Sequence, residues 1–527
     1  MPGPSIVPWT LWTIVSGLLI TAALVCAYTW LSTTLTFYSS RQDESGGSSK
    51  QPRSPPTIPY VVPGLGNTIG FSDQNIGAYW QWLRRLSVRY HSTAFAIMLA
   101  GVKTALVFSP EGVSALFRSR ELSRAGLDQK LGTNVLAMSQ QDAARAFPTK
   151  DHGATARIHS EHLLSTSAVH ALTARYMRCF HHELHDDAHL QRGVDLNLYE
   201  WLWQRIFRSS TTALYGSKLL EMHPDFDLDY RVWEDNMLGL LFGTPRLFAR
   251  KAYAARDRTV RKLETWLEEG YRSPAEGDPD WEPSCGARVV RKRHEYYKQQ
   301  GMSIHAQAGA DLIFLAGILS NATPATGWLL MHILSPTSPP SLKDQIMEEL
   351  SSVKTTDGSI DVPGLTKLPL LNSAFHEILR LYVDLLVVRH IDESVALDSH
   401  LVRQGEHVMA PTWMTHRDAQ YFARPTEFDP ERFLCTDAET GKLSYSTSGL
   451  GGKYFPFGGG HYMCPGRIFA KQEVLGSVAV LLLDFDITFV GYVGNGGFPT
   501  PKKNYAGNQV VGIEGDLRVR VKRRAET

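Results

Sequence analysis

One cysteine in this sequence stands where chemistry is easy to arrange. The stretch FPFGGGHYMCPGRIFA, residues 455–470, sets Cys464 after Gly458, Gly459 and Gly460 and directly before GRIFAKQEVLGSVAVLLL, which reads as a helix. Glycines allow a tight turn that brings backbone N–H groups near the sulfur. Pro465 stands where proline is tolerated, in the first turn of a helix. The positive end of a helix and inward N–H groups both favour thiolate over thiol. A sulfur anion held this way serves as a nucleophile, a metal ligand or an axial ligand of haem iron. A nucleophile wants a general base and an oxyanion hole, whereas a haem ligand wants a flat apolar neighbour and hydrogen bonds to sulfur. Phe457 supplies such a neighbour just before the turn.

The pattern F-x-x-G-x-x-x-C-x-G, carried by Phe457, Gly460, Cys464 and Gly466, resembles the haem-binding loop of the cytochrome P450 superfamily. Two further segments carry the same resemblance. In AFHEILRL, Glu377 and Arg380 are spaced i,i+3 and share a helix face, so they can pair. Further on, FDPERF brings Arg432, which completes a Glu–Arg–Arg set similar to the family's helix K and the meander after it. The resemblance runs from about Pro55 to Val521. It implies a mainly α fold with small β-sheets, haem b with Cys464 as axial iron ligand, and Phe457, Gly460 and Gly466 as cofactor-binding residues. It also implies a structural clamp of Glu377, Arg380 and Arg432, and electrons from NADPH through NADPH-cytochrome P450 reductase.

The sequence departs from that pattern in two places. The loop usually carries a basic residue two before the cysteine; here it is Tyr462, with His461 beside it. The resemblance therefore passes the haem propionates to His461 and to Arg389 in LLVVRHI. The family's W-x-x-x-R is missing upstream, which leaves Arg157, His159 and His162 as candidates. The second departure lies in IHAQAGADLIFLAGILSNATPATGWLLMHIL, residues 304–334, where Asp311 is the only formally charged group. A helix apolar all round is a membrane span or a buried spine, and Asp311, His305, Asn321 and Thr323 favour the spine. Oxygen-activating members of the family carry an acid followed by threonine at its middle; this chain has Ser320 and Asn321 there, with Thr323 two residues late. Pro324 removes one helical hydrogen bond and is expected to open a polar notch at Ser320, Asn321 and Thr323. Asn321 and Thr323 are thus the catalytic candidates, in an N-x-x-P-A arrangement that resembles the sterol 7α-hydroxylase and prostacyclin synthase branch.

The elements around these residues are legible too. The chain has 527 residues, 43% hydrophobic and 20% charged, with a net charge of +1 that gives no sign of a nucleic-acid partner. Its five cysteines are scattered, against a disulfide framework or a zinc site. The first forty residues hold no charged side chain, and from about Leu11 to Leu31 they are long enough to cross a ~30 Å hydrocarbon core. Arg41, Lys50 and Arg53 follow, and the positive-inside rule then puts the body in the cytosol, with the endoplasmic reticulum as the expected membrane. The expected organisation is an anchor over 1–40 (transmembrane about 11–31), a polar, proline-rich linker over 41–63 acting as a semi-rigid spacer, and a catalytic domain over 64–527. Residues 255–300 read as an exposed helix–loop–helix, with Arg288, Arg291, Lys292 and Arg293 as a solvated face. Ser341 is expected to cap the helix that follows it, and Lys453, Arg467 and Lys471 are candidate docking charges for a reductase.

The expected function is a membrane-bound haem-thiolate monooxygenase acting on an apolar small molecule, such as a terpenoid, steroid or polyketide skeleton in a fungal secondary-metabolite pathway. Because the spine lacks its acid, a reductase-independent isomerase or dehydratase acting on a peroxide is the alternative. A haem sensor or carrier without turnover is the third.

Overall fold

The computed structural model describes residues 7–45, 52–71, 76–148, 153–270, 277–336, 341–356, 358–494, 496–502 and 508–524. They fall into two compact units.

The first unit comprises Met1–Ser123, Leu386–Thr415 and Gly451–Lys453. Its opening helix, Val7–Ser45, is apolar over Trp12–Ser40 with a mean hydropathy of 2.0, and none of its most apolar window is buried. From Thr33 onward it touches the rest of the unit: Thr33 Oγ1 lies 3.3 Å from the Tyr60 carbonyl, and buried Phe37 meets Tyr90 edge-on at 5.6 Å. The freely exposed part therefore ends near Leu31, as its composition suggests. Of the expected linker, residues 46–51, with Lys50, lie outside the described residues. The remainder, read from its prolines as a semi-rigid spacer, packs on the sheet of this unit. Pro55, Pro56 and Ile58 are buried, and Ile58 N–H donates to the Ala96 carbonyl at 2.8 Å while Ala96 N–H donates to Pro56. A proline-rich strand that lacks donors can still lie along a sheet edge. That sheet pairs Ala94–Leu99 antiparallel with Val102–Val107, which runs parallel to His407–Pro411. The last of these is antiparallel to the part of Val383–Ile391 that belongs to this unit.

The second unit comprises Arg124–Leu385, His416–Leu450 and Tyr454–Thr527 and is mainly helical. Its spine is the helix Ile304–Leu334, started by Ser303, whose hydroxyl accepts the Ala306 N–H. The apolar window of this helix is 78% buried, which separates it from the exposed N-terminal one and makes it a core element. Helices Leu198–Tyr215, Arg250–Gly270 and Arg467–Asp484 pack on it. A small sheet of Val194–Asn197, Phe485–Val493 and the basic tail strand Asp516–Arg523 closes one side.

Two local expectations fail here. Helices Arg250–Gly270 and Arg288–Gln299 form as expected, with residues 271–276 outside the described residues, but the basic cluster is not a solvated face. Arg291 and Arg293 are buried: Arg291 donates to the Gly286 carbonyl at 2.7 Å, and Arg293 to the Ala310 carbonyl of the spine at 2.8 Å. The Arg293 guanidinium also lies 4.0 Å from the Phe314 ring centroid, and Asp311 sits 2.6 Å from His294. Arg293 lies within 3.9 Å of that carboxylate, while Arg291 pairs with Asp278 at 3.1 Å. Ser341 precedes helix Leu342–Ser351, but its backbone is already helical and its hydroxyl makes no cap bond.

The clamp forms as the spacing suggested. Helix Pro369–Tyr382 carries Glu377 and Arg380, both fully buried, with Arg380 Nε and Nη2 donating to the carboxylate at 2.7 and 2.8 Å. Arg432 Nε donates to the same carboxylate at 2.9 Å, and the Asp429 N–H adds a fourth bond at 3.1 Å. Arg380 spends its remaining donors on the carbonyls of His416, Pro425 and Glu427. His416 then reaches the cysteine loop, its Nε2 accepting the Phe455 N–H at 3.0 Å. Burial holds the His416 pKa well below its ordinary value, so the neutral ring that this bond requires is the form present.

Two outcomes follow from this packing. Glu377→Ala leaves buried Arg380 without its counter-charge and should cost about 3–5 kcal/mol, read as a lower urea midpoint and failure to retain haem; an unchanged midpoint with a normal Soret band would remove the clamp. His159, His332 and His376 are held neutral by burial, each pKa pushed down to about 3. Below the ordinary histidine value of about 6.5 the unfolded chain binds protons that the folded one refuses. Stability should therefore fall steadily as pH drops from neutral towards 3, and a flat denaturation midpoint over that window would contradict it.

Candidate functional site

The cysteine loop is built from backbone hydrogen bonds. Gly458 and Gly460 have φ of 69° and 64°, the left-handed region that glycine enters without cost, and a single turn over Gly460–Tyr462 follows. The Cys464 N–H then donates to the Phe457 carbonyl at 3.0 Å, which closes the loop and sets the half-buried Phe457 ring beside it. Helix Arg467–Asp484 begins after Gly466, so Pro465 lies ahead of the helix and not in its first turn. The sulfur is nonetheless met by the helix start. Burial pushes the Cys464 thiol up, while hydrogen bonds from the backbone of Gly466 and Arg467 and the Arg467 charge pull it down. Burial is the largest of these, so the net direction is upward. The turn alone does not make the thiolate expected from its sequence; a bound cation would, because a coordinated thiol gives up its proton.

The spine helix bears the other half of the expected site, and it differs from the sequence picture. It runs unbroken through Pro324 from Ile304 to Leu334. Thr323 is fully buried, and its hydroxyl has no partner among the described residues, so it lines no notch. Asn321 is half-buried and its amide is occupied at both ends: Nδ2 donates to the Gly317 carbonyl at 3.0 Å and Oδ1 accepts the Val510 N–H at 3.1 Å. The gap in this buried helix lies one turn earlier. Gly317 is exposed, a Cβ placed on it would meet nothing within 4 Å, and Ile313 and Phe314 beside it are only half-buried. An uncovered stripe on a core helix, in the same unit as a half-buried thiol flanked by N–H donors and an aromatic ring, suits a flat apolar group carrying a soft metal ion. The residues present therefore fit haem.

The propionate candidates separate. His461 is exposed on the loop. Arg389 belongs to the first unit, where its guanidinium is buried and Nη1 donates to the Val388 carbonyl at 2.8 Å. His159 is stacked on Phe314 at 5.9 Å, with Arg293 3.3 Å from its Nε2, and burial keeps it neutral, so it brings no cation to a propionate. Burial lowers His162 as well, and Arg157 is exposed. Arg124, which sequence reasoning passed over, holds its guanidinium 6.0 Å from the Tyr462 ring centroid. Nothing in its local sequence signals this, since the two are joined only by the fold. Among the docking candidates, Arg467 turns inward to the Cys464 carbonyl at 3.0 Å. Lys471 is tied to the Tyr445 hydroxyl at 2.5 Å, and burial lowers its pKa to about 8. Neither is a free surface charge.

Comparison with known proteins agrees with this geometry. Residues 55–493 match the family model described as Cytochrome P450. The chain is 28% identical over 386 residues to the cytochrome P450 monooxygenase calL of Penicillium decumbens, covering 70% of this chain and 71% of that one. It is 25% identical over 503 residues to the cytochrome P450 monooxygenase efuG of Hormonema carpetanum, covering 86% and 88%. Among solved structures, the retinoic acid bound cyanobacterial CYP120A1 superposes with a TM-score of 0.65 at 18% identity, over 90% of this chain and 100% of that one, a likeness of fold. The chain belongs to the cytochrome P450 family, and its activity is that of a haem-thiolate monooxygenase.

Proposed function

We propose that this protein is a membrane-anchored monooxygenase that oxidises an apolar small molecule of terpenoid, steroid or polyketide type in a fungal biosynthetic pathway. The observation that carries it is the Cys464 loop, closed on the Phe457 carbonyl and started into a helix whose first N–H groups meet the sulfur. In this reading Cys464 would ligate the haem iron, Phe457 would pack beside the haem, and Gly460 and Gly466 would allow the loop its close approach. Haem bound there supplies dioxygen activation; the chain supplies the dry pocket and the orientation. Ile313, Phe314 and Gly317 offer an apolar stripe to the substrate, and Asn321, fixed by its two backbone bonds, presents a rigid polar edge next to it. Arg389 and His461 remain the proposed propionate partners.

The fungal relatives support the pathway class, and the exposed apolar helix supports the membrane. Electrons are proposed to come from NADPH through a membrane reductase, with the helix Val7–Ser45 inserted in the endoplasmic reticulum and the body in the cytosol. A helix with mean hydropathy 2.0 and an unburied apolar window gains more from lipid than from water.

Cys464→Ser should fold, by far-UV circular dichroism, yet lose the thiolate-type band of the ferrous carbon monoxide difference spectrum; persistence of that band would assign the iron to another residue. In the wild type the same band should appear with NADPH and reductase alone, and its appearance only after chemical reduction would count against the monooxygenase cycle. Full-length protein should resist alkaline carbonate extraction from microsomes and stay open to added protease, while a variant lacking residues 1–45 should be released. A body shielded from protease would overturn the orientation.

A further inference from the structure

The spine helix lacks the acid that its family resemblance leads one to expect, yet an acid reaches the vacant position from another element. Ser320 stands where that acid would be, and its hydroxyl donates to Glu234 Oε1, on helix Phe226–Asp235. The Tyr230 hydroxyl lies 3.3 Å from both Glu234 Oε1 and Ser320 Oγ, so the three polar groups form one cluster in an otherwise apolar wall. Glu234 Oε2 has no hydrogen-bond partner among the described residues, and the side chain keeps some accessible surface although protein surrounds it. A half-buried carboxylate bonded to two hydroxyls beside an open apolar stripe is a candidate for proton handling.

We infer that Glu234 and Ser320 are the proton-holding pair that serves the open stripe of the spine helix, replacing in space the acid missing from its sequence. Ser320 lies three residues after Gly317, so the two are neighbours on the helix surface. Its hydroxyl can therefore face Glu234 on one side and the open stripe on the other. Monooxygenation reduces one atom of dioxygen to water and consumes two protons. For each proton, Glu234 binds one from solvent, the Ser320 hydroxyl turns its own proton from Glu234 Oε1 to the stripe, and as Ser320 releases it Glu234 passes the bound proton to Ser320 Oγ and is left as carboxylate. The electrons are those of the established monooxygenase cycle.

The surroundings suit this duty. Burial raises the Glu234 carboxyl to about 7, with Asp235 adding to the rise and Ser320, Tyr230 and Lys502 opposing it. Lys502 is paired with Asp235 at 2.6 Å. Arg231, on the same helix, is held by both oxygens of Glu200 at 2.6 Å. Tyr199, from helix Leu198–Tyr215, is kept neutral by burial. A group half-protonated near neutral pH gives and regains a proton with little driving force lost either way.

This inference rests on the dioxygen-using reading above, and the test separates the two. The full-length enzyme with reductase, NADPH and dioxygen, without added substrate, would be followed for NADPH oxidation and for the split of dioxygen between water and hydrogen peroxide, from about pH 5.5 to 8.5. Wild type should show an inflection near 7. Glu234→Gln should lose the inflection and shift the split towards peroxide by about tenfold, with haem content unchanged. Ser320→Ala should shift the split likewise, and Glu234→Asp should restore part of the wild-type profile. Independently of turnover, infrared difference spectra should show a carboxyl C=O band titrating near neutral pH in wild type and absent from Glu234→Gln. A Glu234→Gln enzyme with the wild-type profile and split, or a wild type without that band, overturns the inference. A wild type whose ferrous carbon monoxide band fails to appear with NADPH and reductase removes the function on which it rests.

Discussion

The buried carboxylate of Glu377 is the interaction on which the rest of the second unit leans. It carries hydrogen bonds from two guanidiniums and one backbone N–H, and the Glu377 and Arg380 side chains are fully buried. A charge in that position is tolerable only if every lone pair is used. Its partners extend the constraint: Arg380 gathers three carbonyls of the segment between His416 and Glu427, and the His416 ring takes the Phe455 N–H at the entrance to the cysteine loop. The loop that presents the sulfur is therefore positioned from a carboxylate that takes no part in the chemistry.

The sulfur itself shows how local and global electrostatics compete. Two backbone groups and a guanidinium favour its anion, yet removing it from water outweighs them. A thiol so placed is a poor free nucleophile and a good ligand, because a metal cation supplies the charge that the protein withholds. This decides between the uses that a cysteine in a glycine turn leaves open. Glu234 shows the same logic with the opposite result: enclosed and only partly compensated, it stays near the middle of its titration at neutral pH.

Buried charge also explains where reading the chain by pattern went astray. The cluster at Arg288–Arg293 has the composition of a surface, but Asp311 on the spine draws the Arg293 guanidinium inward, and the His294 ring lies beside the same carboxylate. Lys471 and Arg467 look like docking charges on a helix and are instead occupied by Tyr445 and by the Cys464 carbonyl. The prolines after the N-terminal helix suggest a stiff spacer, and they line a sheet edge because the backbone of Ala96 offers both a donor and an acceptor there.

What the sequence determined by itself was whatever is encoded by short spacing. The apolar N-terminal helix, the apolar spine, the i,i+3 pair of Glu377 and Arg380, and the glycine turn around Cys464 each depend on residues a few positions apart, where chain geometry leaves little freedom. What only the tertiary structure decided was which distant groups meet. The spine stays one helix through Pro324 with Thr323 buried, and the open place is Gly317. The clamp's reach through His416 to Phe455 and the arrival of Glu234 at Ser320 join residues far apart along the chain, and no local pattern of hydrophobicity or charge records such meetings. Burial then sets the protonation of those groups, because desolvation is a property of the folded surroundings and not of the residue.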